Sequence, residues 1–315
     1  MSAAAAYAAF GLDRHMAISA PAPDQQAADP KQGFHRYRIG SAECIAIYDG
    51  AWETAHDAAY FKKTSGGGTE RALPAAGLAA EFGPIPIVAL VVKVNEKVVL
   101  CDAGGGQAAA GAAKPPFVSG KLLANLQAAG IDPSQIETIL ISHFHPDHIF
   151  GLIEAETNRA VFPNAEIIVP GEEYRWWTDA SRLNRMPEGQ RPVAKRLQAV
   201  LPNWKNVLPM DDEDEVVPGI RFVSAPGHTV GHTAFQLSSG EAQLLISGDA
   251  VYIPALMARP GGEGGYDHDG EQAAETRRRL LDRVIADHMM ICGPHFPWPG
   301  VGMIAKEGAG YAFNL

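Results

Sequence analysis

The sequence has no run of about 18 apolar residues, the length a helix needs to cross a hydrocarbon core, so no spanning helix is expected. It also has no lysine- and arginine-rich block with interleaved aromatics, and its net charge of -10 repels phosphate backbones. Nucleic acid and anionic membrane surfaces are therefore not expected as partners. Cysteine is scarce: Cys44, Cys101 and Cys292 are odd in number, far apart and set in apolar runs such as KVVLCDAG and HMMICGPH. They read as reduced core residues rather than a disulfide frame. The amino terminus has a small-residue apolar run, AAAAYAAF, without a positive segment ahead of it, so the pattern of a secretory signal is incomplete. A cytoplasmic location is expected, with periplasm and secretion left open. Internal repeats and a dividing linker are missing as well.

What is present is a long alternation of strand-like and helix-like segments. Residues 1–33, rich in Pro, Ala and Gln from residue 19 on, read as an extended arm, and residues 34–315 as a single domain. Strands are expected in HRYRIGSAECIAIYDG, then in IPIVALVVKV and KVVLCDAG, with NEK as the tight turn of a hairpin. Residues 51–84 hold GGG and little periodicity, so they read as a long loop with a task. GKLLANLQAAG has apolar residues at helical spacing and a closing Gly130 suited to a C-cap. Further strands are expected at IETILI, AEIIVP, GIRFVSA, TAFQLSS, AQLLISGD and MMICG. Helices are expected around GEEYRWWTDA, VAKRLQAVL and EQAAETRRRLLDRVIADH. The acidic run DDEDE at 211–215 reads as a solvated turn.

The chemistry begins where IETILI ends, in 142-SHFHPDHIFG-151. Residues two apart in a strand share a face, so His143 and His145 can project toward one ion. Pro146 forbids continuation of the ladder, and Asp147 and His148 follow on the turn. A lone histidine is ordinarily a core or surface residue. Four unshared polar groups crowded together are costly to bury, and this grouping suits a pair of ions. More candidates follow strands directly: His228 after GIRFVSA, Asp249 after AQLLISG, and His295 after MMICG. Ligands gathered at strand ends make a site on one rim of a sheet, where loops admit substrate.

In this order, His143, His145, Asp147, His148, His228, Asp249 and His295 resemble the full ligand set of the metallo-β-lactamase superfamily, across most of residues 35–315. The resemblance implies an α/β fold, an αββα sandwich of two mixed β-sheets flanked by helices. It implies that His143, His145 and His228 hold a first ion and that Asp147, His148 and His295 hold a second, with Asp249 between them. Two divalent ions per chain are implied, zinc on family grounds, with manganese, iron or cobalt as alternatives. Asp102 in VVLCDAG matches an aspartate that supports a ligand from behind. Asp249 stands where antibiotic-opening members usually have cysteine, and His145 stands where flavodiiron members have glutamate, so neither of those chemistries is expected. The basic glutathione-binding signature of a thioester hydrolase is absent near the carboxyl end.

Two subfamily likenesses refine the activity. LLANLQAAGIDPSQIETILISHFHPDHIFGL, SAPGHTVGHTAF and FPWPGVGMIAKEGAGYAF resemble methyl parathion hydrolase and its relatives. Asp249-Ala250-Val251-Tyr252 resembles the acyl-homoserine lactonases, in which the tyrosine donates to the substrate carbonyl or oxyanion. Together they imply a lactonase or carboxylic esterase of the quorum-quenching kind, with Asp249 and Tyr252 as the catalytic pair. Attack would come from a hydroxide held between two ions about 3.5–4 Å apart. A phosphotriesterase is the alternative, and a non-catalytic metal-binding scaffold a remote one. The substrate is expected to be a small ester or lactone, and a homodimer is expected by likeness to the lactonases. Phe144, Trp176, Trp177 and Phe296 are candidates for an aromatic substrate pocket. His232 is expected to brace the His228 loop, and His268 to be a surface residue. Phe150, where many members have glycine, either narrows the site or fills core.

Overall fold

A computed structural model describes residues 30–52, 85–109, 117–211, 215–262 and 264–315. The expected arm up to residue 29, the loop 51–84 from residue 53 on, and residues 212–214 of the acidic run lie outside the described residues.

The first sheet contains β1 (Phe34–Ile39), β2 (Ala42–Trp52), β3 (Ile85–Val94), β4 (Lys97–Cys101), β5 (Phe117–Val118), β6 (Thr138–Leu140), β7 (Glu166–Pro170) and β8 (Val207–Met210). Its order is β1-β2-β3-β4-β6-β7-β8, with β5 paired to β2. Strands β1, β2, β3 and β4 pair antiparallel with one another in succession, and β4, β6, β7 and β8 pair in parallel. The hairpin expected at NEK is present: Asn95 and Glu96 take φ of 47° and 64°, the left-handed pair that matches strand twist in a two-residue turn. The second sheet contains β9 (Glu215–Val217), β10 (Ile220–Ser224), β11 (Thr233–Ser239), β12 (Ala242–Ile246), β13 (Met290–Cys292), β14 (Val301–Glu307) and β15 (Gly310–Asn314), in the order β15-β14-β13-β12-β11-β10-β9. Only β12 and β13 pair in parallel there.

The near-continuous apolar run of β3 is explained by burial on both faces. Ile87, Ala89 and Val91 point into one core with Leu122 and Leu126, while Val88, Leu90, Val92 and Val94 point into a second core with Phe235, Leu237, Leu244 and Ile246. On the far side of the second sheet, Ala234 and Leu245 meet Leu280, Leu281 and Val284 in a third core. Three stacked cores define four layers, helices on two mixed sheets on helices, which is the αββα sandwich.

The helices are α1 (Gly106–Ala109), α2 (Leu122–Ala128), α3 (Pro146–Ile149), α4 (Gly171–Thr178), α5 (Arg191–Val200), α6 (Pro254–Ala258) and α7 (Gly270–Ala286). The longest, α7, starts where the Asp269 side chain accepts from Gln272 N at 3.0 Å. No helix among the described residues is long and apolar enough to cross a membrane. The strand expected at IETILI is shorter than its apolar run and stops at Leu140. His143 and His145 therefore lie beyond it rather than alternating along it. Pro146, whose missing N–H costs nothing at a first helical position, opens α3 instead. The loops after β6, β10, β12 and β13 come together at one edge of the sandwich.

Candidate metal centre

Each ligand candidate sits just past a strand end. The loop after β6 carries His143 and His145, and α3 carries Asp147 and His148. Gly151 follows because there is no room for more: a Cβ there would collide with the Ala103 carbonyl at the end of β4. His228 follows β10, Asp249 lies in a helical turn after β12, and His295 follows β13.

The side chains converge in two groups, His143, His145, His228 and Asp249 in one, Asp147, His148 and His295 in the other, and within each group the ligand atoms lie within 4.8 Å of one another. In the first, His145 Nδ1 is 3.0 Å from both His143 Nε2 and His228 Nε2. Asp249 spans the two. Its Oδ2 is 3.3 Å from His228 Nε2 and 3.9 Å from His143 Nε2, while its Oδ1 is 3.5 Å from both His148 Nε2 and His295 Nε2. Asp147 Oδ2 lies 3.3 Å from His295 Nε2.

The donor set fits a pair of divalent cations. His148 Nε2 and Asp249 Oδ1 are buried, and neither makes a hydrogen bond within the protein. Buried polar atoms are rarely left so, and imidazole nitrogens with carboxylate oxygens are the ligands of zinc and its neighbours. Electrostatics agrees. Burial opposes the charge of His228 and of His295, but the facing carboxylates outweigh it and raise them to about 9 and about 10. Burial likewise opposes the charge of His148, and Asp249, Asp147 and Asp102 raise it well above the ordinary value. Burial alone would raise Asp147 and Asp249, yet the facing histidines hold both below the usual carboxylate range. His145, beside other histidines, is lowered to about 3, mainly by burial. Cations entering the two groups would displace the protons that the facing carboxylates favour on the histidines.

A set of buried partners orients the rings. Asp102 accepts from His148 Nδ1 at 2.9 Å, from Ser142 Oγ at 2.9 Å and from Ser142 N at 2.8 Å. His295 Nδ1 donates to the Pro86 carbonyl at 2.7 Å, and His228 Nδ1 lies 3.0 Å from Asp267 Oδ1. Buried Glu173 accepts from Phe144 N at 3.1 Å, Trp177 Nε1 at 2.7 Å and Gly231 N at 3.0 Å, tying the first ligand loop to the His228 loop. His232 braces the His228 loop through its carbonyl, which accepts from Ala225 N at 3.0 Å and closes the base of the loop, while its Nε2 accepts from Asp249 N at 2.8 Å. Of these partners Asp102 and His232 stood out in the sequence. Glu173, Asp267 and the indole of Trp52, which donates to Asp147 Oδ2 at 3.3 Å, carry no local motif.

The expected aromatic pocket is corrected in part. Phe144 and Phe296 have no exposed surface and pack in separate cores, so they form no pocket wall. Trp177 is buried, edge-on to His145 at 6.3 Å, and holds Glu173. Trp176 is half-buried and lies edge-on to exposed His268 at 5.3 Å. Near Asp147, Trp52 meets Tyr266 edge-on at 5.9 Å, a contact that no local motif announces. Phe150 fills core and is capped by the Arg196 guanidinium at 5.1 Å. Tyr252 is 2% exposed, with its ring 5.3 Å from that of His228. Burial first, then nearby Asp267, raises its phenol well above the ordinary value, so the hydroxyl keeps its proton.

The sequence profile of the metallo-beta-lactamase superfamily matches residues 82–295. An N-acyl homoserine lactonase of a Bacillus species is 25% identical over 229 residues, 68% of this chain and 83% of the relative. Among solved structures, AidC, a dizinc quorum-quenching lactonase in complex with a product, N-hexanoyl-L-homoserine, superposes with a TM-score of 0.78 at 28% identity, over 90% of this chain and 97% of its own. AbOPH, a hydrolase in the beta lactamase superfamily, superposes with a TM-score of 0.77 at 26% identity, over 92% and 98% of the two chains.

Proposed function

The chain belongs to the metallo-beta-lactamase superfamily, and from that premise we propose that it is a lactonase working with two divalent ions, zinc by likeness to AidC. The observation that carries this reading is Asp249, whose two oxygens face two separate histidine groups. His143, His145 and His228 would hold one ion, Asp147, His148 and His295 the other, and Asp249 both. When bound, such a pair supplies a nucleophile from water at neutral pH and polarises the carbonyl under attack.

The chain's own groups do the rest. Asp102 and Asp267 each accept a hydrogen bond from the Nδ1–H of a ligand histidine, leaving its Nε2 lone pair for a cation. Tyr252, protonated and beside His228, donates to the carbonyl oxygen as negative charge builds there. Ring opening adds the elements of water: the carbonyl carbon gains an oxygen, the ring C–O bond breaks, and the leaving oxygen takes a proton. Trp52, Tyr266 and Trp176 offer aromatic surface for the acyl part.

Elemental analysis of metal-loaded protein should give close to two ions per chain, and a stoichiometry of one would sink the role assigned to Asp249. His143→Ala or Asp249→Ala should abolish turnover in a soluble, folded protein. A rate panel of homoserine lactones, aromatic lactones, aryl esters and a phosphotriester tests the substrate class; lactones should rank first, and a faster phosphotriester would replace this reading with the phosphotriesterase one.

A further inference from the structure

Behind His228 lies a buried ion pair outside the ligand set. The side chains of Asp267 and Arg277 are both 0% exposed, and Arg277 Nη2 meets Asp267 Oδ2 at 3.3 Å. Asp267 Oδ1 lies 3.0 Å from His228 Nδ1, so a proton held between them leaves Nε2, which faces His145 and Asp249, to meet a cation. Asp267 Oδ2 also accepts from Gly264 N at 2.8 Å. From the other end of the pair, Arg277 Nε donates to the carbonyl of Ala250, the residue after Asp249, at 3.1 Å, and Nη1 donates to Gly262 O at 2.9 Å. The loop held in this way packs on Tyr252: a Cβ on Gly264 would collide with Tyr252 Oη. Backbone bonds from His268 N to His228 O at 3.0 Å and from Asp269 N to Gly227 O at 2.9 Å close the same loop against the ligand loop.

A buried ion pair is weak evidence of a stabilising role, because desolvation offsets much of its attraction and apolar residues of the same volume often serve the fold as well. Apolar residues could not fix the His228 tautomer, nor could they reach carbonyls on both sides of Tyr252. We propose that Asp267 and Arg277 are a positioning pair that sets His228 and Tyr252 relative to one another, so that the first ion and the oxyanion donor address the same carbonyl. The inference rests on the two-ion lactonase reading above.

The test uses full-length protein and zinc alone as the first probe, with the affinity of each ion measured by chelator competition and folding followed by near-UV circular dichroism. Asp267→Asn keeps the shape of the side chain and removes its charge. It should weaken one zinc site by about 10–100-fold and leave the other within about threefold. Arg277→Lys keeps the charge but cannot span Asp267, Ala250 and Gly262 together. It should lower kcat on a homoserine lactone more than it raises KM, and its effect should shrink in a Tyr252→Phe background, since residues acting through one another are not additive. Unchanged zinc affinity in folded Asp267→Asn, equal weakening of both sites, or additive effects of Arg277→Lys and Tyr252→Phe would each overturn the proposal. If Asp267→Asn does not fold, the non-additivity of Arg277→Lys decides alone. Wild-type protein that binds a single ion would instead refute the two-ion reading, so the two failures are distinct.

Discussion

Asp102 adopts φ of 58°, a left-handed conformation that non-glycine residues avoid at a cost of order 1–2 kcal/mol. Its two oxygens explain why the conformation is kept: they hold the Ser142 backbone and hydroxyl and the Nδ1 proton of His148. Asp102→Asn should therefore bind metal about 10–100-fold more weakly, measured by competition with a chelator. Tyr252 differs, because its proposed role is exerted on the substrate. Tyr252→Phe should lower kcat on lactones by about 10²–10³-fold while metal content stays at the wild-type level. An unchanged rate would reduce Tyr252 to packing against His228. The proposed ligands and Asp102 were legible because they fall in short motifs at strand ends. Asp267, Arg277 and Glu173 were not, because each owes its role to partners far away in the sequence.

At the scale of elements, α4 owes its place to one buried carboxylate. Glu173 accepts from Phe144 N and Gly231 N, which belong to the two loops that present His143, His145 and His228, and from Trp177 within its own helix. Burial raises its pKa, and the donors around it work against that rise. Glu173→Gln leaves one acceptor oxygen where two serve and turns an amide N–H toward a donor. The expected cost is about 1–3 kcal/mol, visible as a lower urea midpoint with an unchanged slope. Element boundaries show what sequence could and could not say. TAFQLSS is β11 from end to end, because its period-2 pattern separates two cores. IETILI overran its strand, because apolar Ile136 and Ile141 are buried just outside Thr138–Leu140, where Ile141 keeps only a bond from its N to Ile168 O at 3.1 Å. The hairpin of β14 and β15 went unread as strands, since only one face of VGMIAKE is buried and its polar residues cluster at one end.

For the whole molecule, the two sheets contribute unequal but complementary parts of the site. The first sheet leads into Asp102, His143, His145, Asp147 and His148, and the second into His228, Asp249 and His295. Each proposed ion thus draws ligands from both sheets and fastens them at one edge, whereas the core between them, with Val88, Leu90, Phe235 and Leu244, fastens them throughout. The core should keep the fold intact when metal is removed, and the edge should loosen. An ion present at 1,000 times its dissociation constant adds about 4 kcal/mol, which for a domain of this size corresponds to roughly 8–16 °C in Tm. Chelation should lower Tm by that order and zinc should restore it. Hydrogen exchange should quicken first around residues 142–151, 226–232 and 293–296, while β3 and β11 stay protected. Equal loss of protection in β3 and β11 would show that the ions hold the sandwich together rather than its edge.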